Sequence, residues 1–231
     1  MFAMIPFAMQ RAPASDGSRL ASRLAWIGAA AWLLAVAGGF AMVWRYKSTP
    51  GAQGAVSPER WPAGSAVGRS PDRATLLLFA HPRCTCTRAS LAELARILAR
   101  FHDRLEARVL FWTPREAPAD WNKGDLWISA ARIPGVKVVR DAEGAEASRF
   151  AVATSGGVVL YDPRGHLLFK GGITAARGHE GDSFGQERIA SLLTTGAADR
   201  ADAPVFGCAL EHEPVRVARA GTSTIIQGEQ R

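Results

Sequence analysis

The chain has 231 residues, 48% of them hydrophobic, which fits one folded domain with extensions and excludes both a wholly disordered chain and a multi-span membrane protein. Its formal charge is +7, carried mostly by arginines scattered among acids with no basic stripe between aromatics, so no nucleic-acid partner is expected. Three cysteines, an odd number, exclude complete internal pairing.

After an N-terminal segment, residues 1–23, comes an uncharged run of 21 residues over 24–44. At about 1.5 Å per residue it reaches across roughly 30 Å of hydrocarbon, so it is predicted to be a transmembrane helix. Trp26 and Trp44 near its ends, with Arg23, Arg45 and Lys47 just beyond, match interfacial anchors. Ala35-Val36-Ala37 resembles a signal-cleavage site but lies inside the apolar run, so an uncleaved anchor is expected. Arg11, Arg19 and Arg23 before the span balance Arg45, Lys47 and Arg60 after it, so charge does not set the orientation.

Residues 45–73 are rich in Gly, Pro, Ala and Ser and read as a flexible linker. The folded domain is predicted over 74–195. Residues 74–80 form a continuous apolar run ending at His81-Pro82, the pattern of a buried central strand. Leu91, Leu94, Leu98 and Phe101 then recur at helical spacing, and the apolar run 109–112 supplies the parallel strand of a right-handed crossover. A short helix at 125–131 and a strand at 136–139 are expected next. Residues 157–161 and 167–170, joined by Asp162-Pro163-Arg164-Gly165, read as a β-hairpin, and 185–193 as a last amphipathic helix. The tail, 196–231, carries one hydrophobic island around Cys208.

Two cysteines in Cys84-Thr85-Cys86 stand at the first strand-to-helix turn. Unpaired N–H groups and the helix dipole favour an anion there, so a thiol at this turn ionises more readily; Arg83 and Arg88 are expected to add positive charge. Side chains at i and i+2 of a helix point to different sides, so a Cys84–Cys86 disulfide needs Cys84 outside the helix. Thr85 as N-cap would arrange that; Ser90, with Glu93 three residues on, would instead leave both cysteines on a loop. Either ring is small, and its strain favours an oxidising disulfide.

The order of crossover unit, hairpin and last helix, with cysteines in Phe79-Ala80-His81-Pro82-Arg83-Cys84-Thr85-Cys86, resembles the thioredoxin-like superfamily over roughly 74–193. Cys84-Thr85-Cys86, Thr154-Ser155-Gly156, Gly171-Gly172-Ile173-Thr174 and Val205-Phe206-Gly207-Cys208 together resemble the membrane-anchored RedB-type proteins. The resemblance implies an α/β fold, a central mixed sheet flanked by helices, and a redox pair at Cys84 and Cys86. The chain departs from the family in two ways. One residue, not two, separates the cysteines, and Ser155 or Gly156 stands in the neighbourhood of the family's cis-proline, which is thought to keep metals off the thiols.

The leading expectation is a membrane-anchored thiol-disulfide oxidoreductase without a cofactor. Cys84 is the nucleophile and Cys86 the resolving thiol, protein thiols and disulfides are the partners, and the domain lies on the extracytoplasmic side of the inner (cytoplasmic) membrane. The alternative is copper or zinc binding through Cys84, Cys86, Cys208 and His179. Cys208 is open between resolving thiol, third soft ligand and apolar plug, with Thr154 and Ser155 as accessory residues. His81 and His179 are candidates for a base or a metal shell. Thiol peroxidase chemistry ranks lowest, because His81-Pro82-Arg83-Cys84 lacks the threonine of the peroxiredoxin motif it resembles.

Overall fold

The structure, a computed structural model, describes residues 16–52, 54–118, 120–121, 123–196 and 201–210. The chain divides into two units, residues 1–47 and residues 48–231. In the first, helix α1 (Asp16–Ser48) is 33 residues long, and its stretch Arg19–Ser48 is long and apolar enough to cross a membrane. Trp26, Trp32, Leu34, Phe40 and Met42 are all exposed along it. The helix extends beyond the expected 24–44 at both ends.

The second unit is built on a six-stranded sheet. Strand β1 (Ala74–Ala80) lies parallel to β2 (Leu105–Thr113) through the crossover helix α2 (Cys86–Phe101), and β2 lies parallel to β3 (Val136–Ala142). Helix α3 (Asp125–Ala131) precedes β3 and the short α4 (Ala145–Arg149) follows it. On the other side of β1 come the antiparallel β4 (Gly157–Tyr161) and β5 (Leu167–Gly172), then α5 (Phe184–Thr195) and the two-residue β6 (Ala201–Asp202), parallel to β5. The sheet order is β3-β2-β1-β4-β5-β6. Its central position explains the unbroken apolar run of β1, since both faces are covered. Leu76, Leu78 and Ala80 join a core with α2 and α5 residues such as Leu94, Leu98 and Ile189. Leu77 and Phe79 join a second core with Phe150, Tyr161 and Leu210.

Two expectations are corrected. Most of the expected linker 45–73 is packed on the domain, not a free tether. Ser57 and Val67 are buried, Trp61 stacks edge-on against Phe150 and Tyr161, and the Tyr161 hydroxyl donates to the Pro58 carbonyl at 2.8 Å. Few bulky residues sufficed, because one tryptophan and backbone hydrogen bonds supply the anchoring; the compact unit therefore starts at Ser48, not near Ala74. Likewise, the expected tail beyond 195 is partly in the fold: β6 extends the sheet, and the Ala203 N–H donates to the Lys170 carbonyl at 3.1 Å.

Ser90 lies inside α2 and caps nothing there; Thr85 is the N-cap. Glu93, fully buried, reaches across to the start of α5. It accepts from the Gly181 N–H at 2.6 Å, from the Gln186 side chain, and from Arg96. Removing a buried carboxylate leaves those donors unsatisfied, and Arg96 is too exposed to contribute much by charge alone. Glu93→Ala is therefore expected to lower domain stability by about 2–3 kcal/mol in urea unfolding, mainly through the lost charge-assisted hydrogen bonds.

Candidate functional site

Strand β1 ends at Ala80, and the turn that follows delivers three residues to one place. The Cys84 N–H donates to the His81 carbonyl at 3.1 Å, the Thr87 N–H to the Cys84 carbonyl at 3.0 Å, and the Arg88 N–H to the Thr85 carbonyl at 3.3 Å. Cys84 thus stands just before the helix and Cys86 is its first residue, with Thr85 already in the helical region at φ −61°, ψ −29°. Both cysteines are buried, Cys84 at 3% exposure.

The segment that faces this turn is 154–157. The Gly156 N–H donates to the Phe79 carbonyl at 2.8 Å, and the Ser155 hydroxyl accepts from the His81 N–H at 2.8 Å and lies 2.9 Å from the Thr87 hydroxyl. Gly156 has φ +88°, a conformation side chains resist. No peptide bond among the described residues is cis. Ser155 therefore does by side-chain hydrogen bonding what tethers this loop to the cysteine turn. Thr154 turns away, donating to the Ala52 carbonyl at 2.7 Å.

On the outer side of this segment lies 203–210. Thr154 and Ala209 form an antiparallel bridge, the Ser155 N–H donates to the Cys208 carbonyl at 2.8 Å, and the Leu210 N–H donates to the Ala153 carbonyl at 2.9 Å. Gly51 donates to the Val205 carbonyl at 2.8 Å and the Arg177 guanidinium to the Gly207 carbonyl. Gly207 is required by space: a Cβ there would sit 1.9 Å from the Ser155 carbonyl oxygen. Cys208, half-buried, is thereby brought onto Cys84 and Cys86, and all three are free thiols.

Their electrostatics differ. Burial pushes the Cys84 thiol up, but hydrogen bonds from the Cys208 backbone and thiol, the Cys86 backbone and the Thr87 hydroxyl outweigh it, leaving Cys84 below an ordinary thiol. Burial and the charge of Cys84 push Cys86 up, against the pull of Arg177. Burial, followed by the hydrogen bond to Cys84 and its charge, pushes Cys208 up to about 11. Of the three thiols, Cys84 is therefore the one whose thiolate is favoured. Iodoacetamide labelling followed across pH is expected to show Cys84 ionising first, below the ordinary thiol range, and Cys208 last, with a midpoint near 11.

Arg177 is the cation that acts on Cys86 and Cys208, and its loop position, far from the motif in sequence, gave no signal. Arg83 and Arg88, expected in that role, are engaged elsewhere: Arg83 lies over Trp121 at 5.2 Å, and Arg88 pairs with Asp125. His81 is held by stacking on Trp112 at 5.7 Å and by accepting the Arg83 N–H at Nδ1. His179 is exposed on the loop before α5. Among the described residues, no group of three or more His, Cys, Asp and Glu side chains is arranged to hold a metal ion.

No family model matches the sequence, and no curated protein matches it. Solved structures do. A hypothetical protein from Sinorhizobium meliloti superposes with a TM-score of 0.55 at 17% identity, covering 69% of this chain and 97% of that one. An uncharacterized conserved protein from Geobacillus kaustophilus gives 0.53 at 18% identity, covering 72% and 94%. A secreted disulfide oxidoreductase of Mycobacterium tuberculosis overlaps with a TM-score of 0.35 at 14% identity, covering 53% and 81%. For the first two, at such identities, the likeness is one of fold. With a parallel crossover unit, cysteines at its first turn and an antiparallel hairpin on the far side of β1, the domain has the thioredoxin-like fold.

Proposed function

We propose that this protein is a membrane-anchored thiol-disulfide oxidoreductase that works through Cys84 on protein disulfides. One observation carries the reading: a thiol favoured as thiolate stands at a helix start with two further thiols within its hydrogen-bonding shell. Cys84 attacks a client disulfide and a neighbouring thiol resolves the mixed disulfide. The chemistry uses only the cysteines and needs no cofactor. Helix α1 anchors the domain, and the domain works on the extracytoplasmic face of the cytoplasmic membrane, where disulfides persist.

A second reading, copper or zinc binding, rests on the two soft thiols of Cys84 and Cys86 lying within hydrogen-bonding reach of each other, with no cis peptide bond among the described residues. A single preparation separates them. The full chain in detergent micelles is expected to reduce insulin disulfides in the presence of dithiothreitol. Cu(I) or Zn(II) bound tightly at one equivalent, with no exchange above the dithiothreitol background, would favour the metal reading instead.

A further inference from the structure

Resting on Cys84 as nucleophile, we infer that its disulfide partner is Cys208 rather than Cys86, so that segment 203–210 is a working part of the redox site. The backbone decides between the two. A Cys84–Cys86 disulfide would have to close across Thr85, whose backbone is already helical at φ −61°, ψ −29°, and drawing the sulfurs together there strains the Thr87-to-Cys84 and Arg88-to-Thr85 hydrogen bonds that start α2. A Cys84–Cys208 disulfide joins two segments already held in place on either side of Ser155, and breaks neither turn. Cys208 is fixed by backbone bonds at Ser155, by its neighbour Gly207 under Arg177, and by Leu210, which is 1% exposed in the second core. This is not the anchoring of a loose tail.

The chemistry balances as two exchanges. With Cys84 at 3% exposure under Cys208, the segment lifts to admit a client. The Cys84 thiolate attacks one sulfur of the client disulfide; a Cys84–client bond forms, the client S–S bond breaks, and a client thiolate leaves and takes up a proton. As the segment returns, Cys208 loses its proton to solvent and its thiolate attacks the Cys84 sulfur. The Cys84–Cys208 bond forms, the Cys84–client bond breaks, and the second client thiolate leaves and is protonated. The client disulfide gains two electrons, Cys84 and Cys208 lose them, and an external dithiol restores the pair. After burial, the hydrogen bond to Cys84 and the charge on it disfavour the Cys208 thiolate most, ahead of the charge of Cys86; the two Cys84 effects end once Cys84 is in a mixed disulfide, while Arg177 remains.

Tryptic mapping tests the pairing on the full chain in detergent, oxidised with diamide and blocked with maleimide. Cleavage after Arg83, Arg88, Arg200 and Arg216 places Cys84 and Cys86 on peptide 84–88 and Cys208 on peptide 201–216. The expected product is the linked pair of these peptides, retained in Cys86→Ser. Peptide 84–88 closed on itself, with Cys208 carrying maleimide, would overturn the inference. With a peptide disulfide as client, Cys208→Ser is expected to accumulate the Cys84 mixed disulfide and lose about tenfold in turnover, while Cys86→Ser loses less than about twofold. The reverse order would also overturn it. Diamide needs no client, so a linked pair in a chain without exchange activity upholds the pairing and defeats the exchange reading.

Discussion

Cys84→Ser is expected to lower disulfide exchange by a thousandfold or more, down to the background of the reductant, an effect on the order of 4 kcal/mol in the barrier. The expectation follows from where the negative charge resides. Burial alone would make all three thiols poor nucleophiles; only Cys84 collects enough hydrogen-bond donors to overcome it, and its ionisation pushes Cys86 and Cys208 the other way. Serine fits the same space but offers no thiolate, and burial, the largest effect on Cys86 and Cys208, still disfavours theirs. The check is the rate with a fluorescent peptide disulfide. If Cys84→Ser kept its rate while Cys86→Ser lost it, the nucleophile would be Cys86.

The second large effect is expected at a residue without a side chain. Gly207→Val is expected to detach segment 203–210, because even a Cβ at this position falls 1.9 Å from the Ser155 carbonyl oxygen, a backbone atom that cannot swing aside as a side chain would. Two consequences are measurable. Cys84 loses the Cys208 donors and the cover, so its ionisation midpoint moves up toward that of an ordinary thiol while its labelling at high pH becomes faster. Leu210 leaves the second core, at a cost of about 2 kcal/mol and a fall in Tm of roughly 5 °C. Gly207→Ala meets the same oxygen and should give the same direction of change. Unchanged labelling in both variants would mean that the segment does not shape the site.

Much of the framework was legible because it rests on local patterns. The continuous apolar run of β1, the helical spacing of Leu91, Leu94 and Leu98, and the Asp162-Pro163-Arg164-Gly165 turn each express one periodicity or one turn chemistry. Helix α3 has the bounds the sequence predicted. Elements β6 and α4 went unseen, since two and five residues are too few to show a period. The packing of 48–73 was hidden for another reason: its hold depends on partners such as Phe150 and Tyr161, distant in sequence, and on main-chain groups common to any composition.

The site divides in the same way. Cys84, Cys86 and the exit of β1 were readable from the motif, and Cys208 was singled out by its apolar neighbours. That Cys208 sits on Cys84 depends on the pairing of 208–210 with 153–155, a register between segments some fifty residues apart that no local pattern encodes. Arg177 escaped for the same reason. The Ser90–Glu93 pair looked like a capping box and is not one, because Glu93 is drawn into the core by donors from the loop before α5 and from the first turn of α5.

The central claim, that these cysteines form a working dithiol, is tested most directly by counting thiols against potential. The full chain is equilibrated in glutathione buffers of stepped ratio, quenched with maleimide and weighed intact. Two thiols are predicted to disappear together in one two-electron transition, leaving a third open to maleimide. Three thiols taking up maleimide at every ratio would contradict the account.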